Sequence, residues 1–499
     1  MPRNPFRHVG LLMRRDHTLG LLLERLTEVH GDRRLVEEPG GLSLTTAEAA
    51  DLVARWAGGV AAATSPGDVV VVASPNGYEQ LLLCLAASRA GAVPAPVNAQ
   101  MREDEIAHVV ADSGAALTVA SAADLARAPA LTTAIPATPD DLAALFYTSG
   151  TTGKPKGAEL THRSLIGALV PGAALPTGLR SDEAVMSLPI AHIMGFGTAL
   201  GLACAGIPVH FHPKFNPVRV LDAIESRRAT MFVGVPAMYR MLLDAGAEDR
   251  DLKSIRLWVS GADAMAPELA ARFKKMGATA SLPLVGPVGE AAFAEGYGMV
   301  ETGGGVAAKL SPPGFGFGLG AAMGVPLPGY RFKVVDDAGT EVRRGTVGEL
   351  LVQGPGVLKG YHGDTDATAA TLTDDGWLRT GDLARLGPLG LVTFAGRKKD
   401  VVKHGGYSVY AVEVEQALEQ HPDVVEAAVV GLPDDTKGEV PAAVVCLRDG
   451  VELDAPALSA WLGERLSEYK VPVRFAVIDS LPRTGTRKVQ RAGLVDLFV

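Results

Sequence analysis

Leu145-Phe-Tyr-Thr-Ser-Gly-Thr-Thr-Gly-Lys-Pro-Lys-Gly157 decides how the rest of this chain is read. An apolar β-branched and aromatic run enters a stretch, residues 148–157, made almost wholly of Ser, Thr, Gly and Lys. Gly150, Gly153 and Gly157 open backbone conformations closed to other residues and let a ligand come close to the main chain. Thr148, Ser149, Thr151 and Thr152 add hydroxyl donors, while Lys154 and Lys156 add positive charge. Such a loop suits a polyphosphate. It is not the GxxxxGK[ST] pattern, because Lys154 is followed by Pro155. A bare surface turn is the alternative, and the length of the string speaks against it.

Outward from this loop, residues 43–261 alternate between short β-branched runs and amphipathic helical patterns. Strands are predicted at 68–73, 92–97, 116–120, 142–147, 184–188, 208–212, 231–235 and 256–260. Helices are predicted at 47–63, 78–90, 103–110, 218–228 and 267–276. That alternation argues for an α/β fold of largely parallel sheets covered by helices. After Gly314 the texture changes to short antiparallel strands at 331–335, 348–352 and 391–394. A charged cluster, Arg397-Lys398-Lys399-Asp400, precedes a compact α+β pattern: helix 411–420, strands 424–430 and 440–447, helix 457–466, strand 473–477. The expected domains are 1–397 and 401–499, joined at 398–400. No internal repeat is visible.

The 499 residues suggest about three folding units. Acidic side chains number 56 against 47 basic, a formal net charge of −9, which disfavours wrapping by nucleic acid or an anionic membrane. Cys84, Cys204 and Cys446 lie apart in apolar stretches and show no metal-ligand or disulfide spacing. No secretory signal is evident in residues 1–26, and the uncharged run 193–209 falls short of the ~20 apolar residues of a spanning helix. A cytoplasmic protein without stable membrane insertion is expected.

The loop resembles the phosphate-binding loop of the adenylate-forming superfamily, which includes acyl-CoA synthetases, firefly luciferases and peptide-synthetase adenylation domains. Further motifs follow in the family's order. Gly296-Tyr-Gly-Met-Val-Glu-Thr302 resembles YGxTE, and Trp377-Leu-Arg-Thr-Gly-Asp-Leu383 resembles WxxTGD. Gly396-Arg-Lys-Lys-Asp400 and Lys403-His-Gly-Gly-Tyr-Ser-Val-Tyr410 resemble the hinge and the loop after it. Leu481-Pro-Arg-Thr-Gly-Thr-Arg-Lys488 resembles the terminal PxxxxGK. Five motifs in register imply the superfamily's fold: a large region of mostly parallel sheets with helices and a small distorted β-barrel, then a mobile C-terminal lid.

The resemblance implies two steps: a carboxylate attacks the α-phosphate of ATP, and the thiol of coenzyme A then displaces AMP. It places the β- and γ-phosphates on residues 148–156, Mg²⁺ on Glu301, and the adenine against Tyr297 and the Gly261-Ala262 backbone. Glu295 stands where the family often has an amide near the adenine amino group, and Gly296, Gly298 and Thr302 belong to the same motif. Asp382 and Arg397 are implied at the ribose, Lys488 at the reacting carboxylate and α-phosphate, and Lys399 as the hinge. Gly405, Gly406 and Tyr407 are implied at the pantetheine arm of coenzyme A. His192, Phe196, Gly197, Val235, Gly303 and Gly304 are expected around the acyl group, with core packing the competing reading for His192. Small and apolar residues dominate there, so the acid and its adenylate are expected to be bulky or long, hydrophobic and monocarboxylic.

Three departures stand out. Val300 replaces a hydroxyl residue, a loss of ~1–3 kcal/mol in the adenylation transition state. Arg487 replaces a glycine beside Lys488, and an extra stretch, 281–293, is positioned in sequence to pack beside the nucleotide. An acyl-CoA ligase is the first expectation. A variant acting mainly on supplied acyl-AMP, and an acyl-AMP ligase loading a carrier protein, are the alternatives. A homodimer is the self-association considered.

Overall fold

The computed structural model describes residues 14, 16–148, 155–167, 169–170, 182–282, 285–315, 322–483, 489–491 and 493–498. Packing divides the chain into two units, Met1–Arg331 with Gln353–Leu378, and Phe332–Val352 with Arg379–Val499.

In the first unit, the sheet order runs Ala322–Pro326, Gly304–Ser311, Ala292–Met299, Leu257–Gly261, Met231–Gly234, Ala184–Met186, Val209–Phe211, Arg34–Glu37, Ser43–Thr45. The six strands from Ala292–Met299 through Arg34–Glu37 are mutually parallel, and antiparallel strands flank them on both sides. Their apolar content explains this: Val185, Phe211, Phe232 and Trp258 are fully buried, as strands covered by helices on both faces require. A second parallel sheet, Val93–Pro96, Val69–Val72 and Leu117–Val119, packs its Val69, Val71 and Val93 against Leu145 of the strand Leu142–Thr148. The parallel, helix-covered α/β class expected from the sequence is present.

The Ala280–Leu282 and Gly286–Val288 hairpin corrects the expectation for the extra stretch. It sits at the start of the strand Ala292–Met299, whereas Tyr297 is near its end, about 16 Å along at the usual strand rise. Glu290 is held there by Lys274 at 3.0 Å, on the helix Pro267–Met276. The insertion therefore packs away from the adenine strands' functional ends.

In the second unit, Val424–Asp434 and Gly438–Leu447 form a long antiparallel hairpin, with Arg474–Val477 parallel to the latter. Residues alternate between two cores: Val429, Ala443 and Val445 face the helix Ala411–Glu419, while Ala428, Val430 and Val444 face Leu481 and Leu494. Val401–His404 and Tyr407–Tyr410 add a second hairpin. Among the described residues no helix is long and apolar enough to cross a membrane.

Candidate active site

Leu142–Thr148 pairs antiparallel with Lys156–Thr161, closing on Thr148 opposite Lys156. Both ends of the Gly/Ser/Thr loop thus emerge at one point; Ser149, Gly150, Thr151, Thr152, Gly153 and Lys154 lie outside the described residues. The turn Val300–Thr302 packs against both strands, bringing Glu301 to that mouth. The Tyr361 hydroxyl donates to Glu301 Oε1 at 2.9 Å, and the Leu358 N–H donates to the Glu301 carbonyl at 2.9 Å. Lys156 Nζ lies 2.9 Å from Asp364 Oδ2 and 5.8 Å from the Tyr361 ring centre.

Thr302 is buried, its hydroxyl accepting from the Met299 N–H at 3.1 Å and donating to the Gly304 carbonyl at 2.7 Å. It shapes the turn that presents Glu301. Val300 in the same turn packs against the apolar core. At Gly303, with φ +62°, a Cβ would come within 2.6 Å of the Ser164 carbonyl, so only glycine fits.

The adenine strands are in register at Ser260–Glu295 and Gly261–Gly296. Alternation puts Phe293, Glu295 and Tyr297 on one face. A Cβ on Gly261 would lie 3.2 Å from the Gly296 carbonyl and 3.2 Å from Met194 Cε, so this edge also meets the start of the helix Ile193–Ala205. Ala262 follows in the left-handed region at φ +68°, a strained position for a residue with a Cβ. Opposite Glu295 in register stands Lys309, Nζ to Oε1 3.0 Å, both nearly buried. Burial pushes the Glu295 carboxyl up, and Lys309 opposes that push.

His192 caps the helix Ile193–Ala205, its Nδ1 accepting from the Met194 N–H at 3.2 Å. That helix packs against the strand Gly304–Ser311, so the acyl candidates Gly197 and Gly304 belong to neighbouring elements. Met194, Gly197 and Gly201 lie on its half-exposed face, and a Cβ at Gly197 would meet nothing within 4 Å. Phe196 is a correction: it is 0% exposed and packs edge-on against Phe146 at 5.2 Å, a core residue offering no surface to an acyl group. Val235, half-exposed, precedes the helix Pro236–Asp244.

In the second unit, Asp382 pairs in register with Arg397, Oδ1 to Nε 2.8 Å, with Asp382 1% exposed. The Asp382 N–H donates to Thr380 Oγ1 at 3.0 Å, which donates to the Leu350 carbonyl at 2.7 Å. Lys399, half-buried, has its ammonium pulled below the usual lysine range by desolvation. Gly405 and Gly406, at φ +57° and +86°, form the two-residue turn between His404 and Tyr407. Positive φ at both positions is the demand of a type I′ hairpin, so the turn by itself requires both glycines. Tyr407 is 59% exposed and stacks on Tyr469 at 4.6 Å. Lys488 and Arg487 lie outside the described residues.

The family profile described as AMP-binding enzyme matches residues 23–138 and 120–362, and that of the AMP-binding enzyme C-terminal domain matches 413–488. The chain belongs to the AMP-binding enzyme family. Among relatives in this family, a feruloyl-CoA synthase from an Amycolatopsis species is 38% identical over 480 residues, 90% of this chain and 93% of that protein. ATP-bound MatB from Rhodopseudomonas palustris superposes with TM-score 0.82 at 31% identity, over 96% of this chain and 99% of that one. The o-succinylbenzoate CoA synthetase of Bacillus subtilis, in complex with ATP and magnesium ion, gives TM-score 0.81 at 28% identity, over 95% and 98%.

Three residues of this AMP-binding enzyme escaped the sequence reading. Tyr361 and Asp364 come from a segment without a phosphate-like signature, and Gly360-Tyr361 is its only cue. Lys309 pairs with Glu295 only through strand register, which spacing does not reveal. Among the described residues no group of three His, Cys, Asp or Glu could cage a metal. A lone carboxylate such as Glu301 does fit Mg²⁺, which keeps waters and phosphates as its other ligands.

Proposed function

We propose that this protein is an ATP-dependent acid–thiol ligase that makes an acyl-CoA thioester through an acyl-AMP intermediate. The observation carrying the reading is the convergence of Glu301, Tyr361 and Lys156 at the mouth of the Gly/Ser/Thr hairpin. In the first step the carboxylate oxygen attacks the α-phosphorus and pyrophosphate leaves. The loop 149–154 and Lys156 would hold the outgoing phosphates, and Glu301 would hold Mg²⁺, which supplies charge neutralisation when bound. Tyr297, Glu295 and the Gly261-Ala262 backbone would bind adenine, Asp382 and Arg397 the ribose, and Lys488 the reacting oxygens. In the second step the thiol sulfur of coenzyme A attacks the acyl carbon and AMP leaves, with Gly405, Gly406 and Tyr407 beside the pantetheine. We assign residues 1–397 and 401–499 as the functional lobes, with Lys399 in the hinge 398–400.

The acid we propose is a bulky hydrophobic monocarboxylate. The open space at Gly197 and the glycines at 303–305 support width, and Lys309 is already engaged by Glu295 rather than offered to a second carboxylate. The test is acid-dependent ATP–pyrophosphate exchange over aryl, arylpropenoic, indolyl and long-chain acids, followed by thioester formation with coenzyme A or a holo-carrier protein. Exchange and CoA thioester are expected. Exchange with carrier loading alone would move the assignment to a carrier-protein ligase, and thioester from supplied acyl-AMP without exchange would move it to the half-reaction enzyme.

A further inference from the structure

Tyr361 sits where three parts of the first unit meet. Its backbone bridges Ala158 of the strand Lys156–Thr161, and the segment around it is zipped to that strand on both sides. The Glu159 N–H donates to the Gly360 carbonyl at 2.9 Å, and the His362 N–H donates to the Gly157 carbonyl at 2.8 Å. The Tyr361 N–H donates to Thr368 Oγ1 at 2.9 Å, on the helix Thr365–Thr371. The phenol is therefore held from three directions, with its hydroxyl delivered to one oxygen of Glu301. Burial, reinforced by the Glu301 carboxylate, pushes the phenol well above its usual range, so it stays a proton donor.

The consequence for Glu301 is geometric. A free glutamate carboxylate rotates broadly about its last torsion. A donor fixed on Oε1 stops that rotation and leaves Oε2 to face a cation. Magnesium tolerates little departure from octahedral geometry, so a pre-aimed ligand matters more for it than for calcium.

We propose that Tyr361 is a positioning residue that aims the Glu301 carboxylate at the magnesium ion of the bound nucleotide. This rests on the ligase reading above. Lys156 completes the device: its ammonium lies above the Tyr361 ring and is anchored by Asp364, whose other oxygen caps the helix Thr365–Thr371 by accepting from the Ala367 N–H at 2.8 Å. The hairpin mouth and the metal carboxylate are thus fastened to one short segment, 358–364.

Calorimetric titration of ATP into the full chain, with magnesium and with EDTA, tests this without turnover. In the unaltered protein magnesium should strengthen ATP binding. Tyr361→Phe keeps the ring and removes the donor. It should lose about tenfold of the magnesium-dependent gain, a usual effect of removing an orienting partner, while binding in EDTA and the melting temperature stay unchanged. In a Glu301→Gln background, Tyr361→Phe should add nothing further. A full magnesium gain in Tyr361→Phe, or equal weakening with and without the metal, overturns the inference and leaves the ligase reading standing. Failure of the unaltered protein to bind ATP overturns both.

Discussion

Phe196 and Gly197 are adjacent in sequence and face opposite ways on their helix. Phe196→Ala should cost about 3–5 kcal/mol of stability, the usual result of emptying a buried aromatic site, read as a lowered denaturant midpoint with little change in KM for the acid. Gly197→Phe should do the reverse: the added ring enters open space, so stability holds while kcat/KM for the widest acids falls at least tenfold relative to small ones. Val300 offers a third residue-scale outcome. Its side chain packs into the core beside Glu301, and Val300→Thr should raise the rate of pyrophosphate exchange if the missing hydroxyl limits adenylation. An unchanged rate would show that the turn places that side chain out of the phosphate's reach.

The helix Leu19–His30 begins without a side-chain cap from Thr18, and the Leu19 N–H donates instead to Nδ1 of His162 at 3.1 Å. Burial holds the His162 imidazole down at about 4, and nearby Asp141 only partly offsets it. The unfolded chain therefore takes up this proton first. Stability from the contact is complete above the ordinary histidine range and drains as pH falls from about 6.5 towards 4, amounting to ~3 kcal/mol in full. His162→Asn should flatten that slope in denaturant titrations between pH 7.5 and 5; His212, also held at about 4 by burial, keeps its own share. Elements of this kind were legible to different degrees. Val69–Val72, Met231–Gly234 and Pro267–Met276 stand out in sequence because strand and helix leave clear apolar periods. Ile193–Ala205 does not, since nearly every residue in it is small or apolar and no face is marked. Ala292–Met299 and Gly304–Ser311 were hidden by glycines at 296, 298 and 303–305, whose pairing is driven by backbone hydrogen bonds. The site followed the same rule: motif residues were readable, whereas Tyr361 and Lys309 depend on register and on contacts distant along the chain.

Across the chain, the two units keep separate cores, the first around Trp258 and Phe232, the second divided between the two faces of the 424–447 hairpin. Within the second unit, Arg491 ties the chain's far end to Glu415 at 2.8 Å and to Asp400 at 3.4 Å, while Glu415 also accepts from the Val429 N–H at 2.8 Å. Arg491→Met would strand a buried carboxylate and should cost that unit about 3 kcal/mol. Trp461 is its lone tryptophan, so the loss is expected in the 461 fluorescence transition and not in one reporting the first unit. The glycine pair at 405 and 406 carries a warning for anyone breeding this enzyme toward new nucleophiles such as amines. A library randomised at those codons would be winnowed first by misfolding, because most survivors must still bend left-handed. Enriched clones would then report tolerance of the bend rather than taste for an acceptor, so diversity is better spent on neighbouring side chains that the bend leaves free.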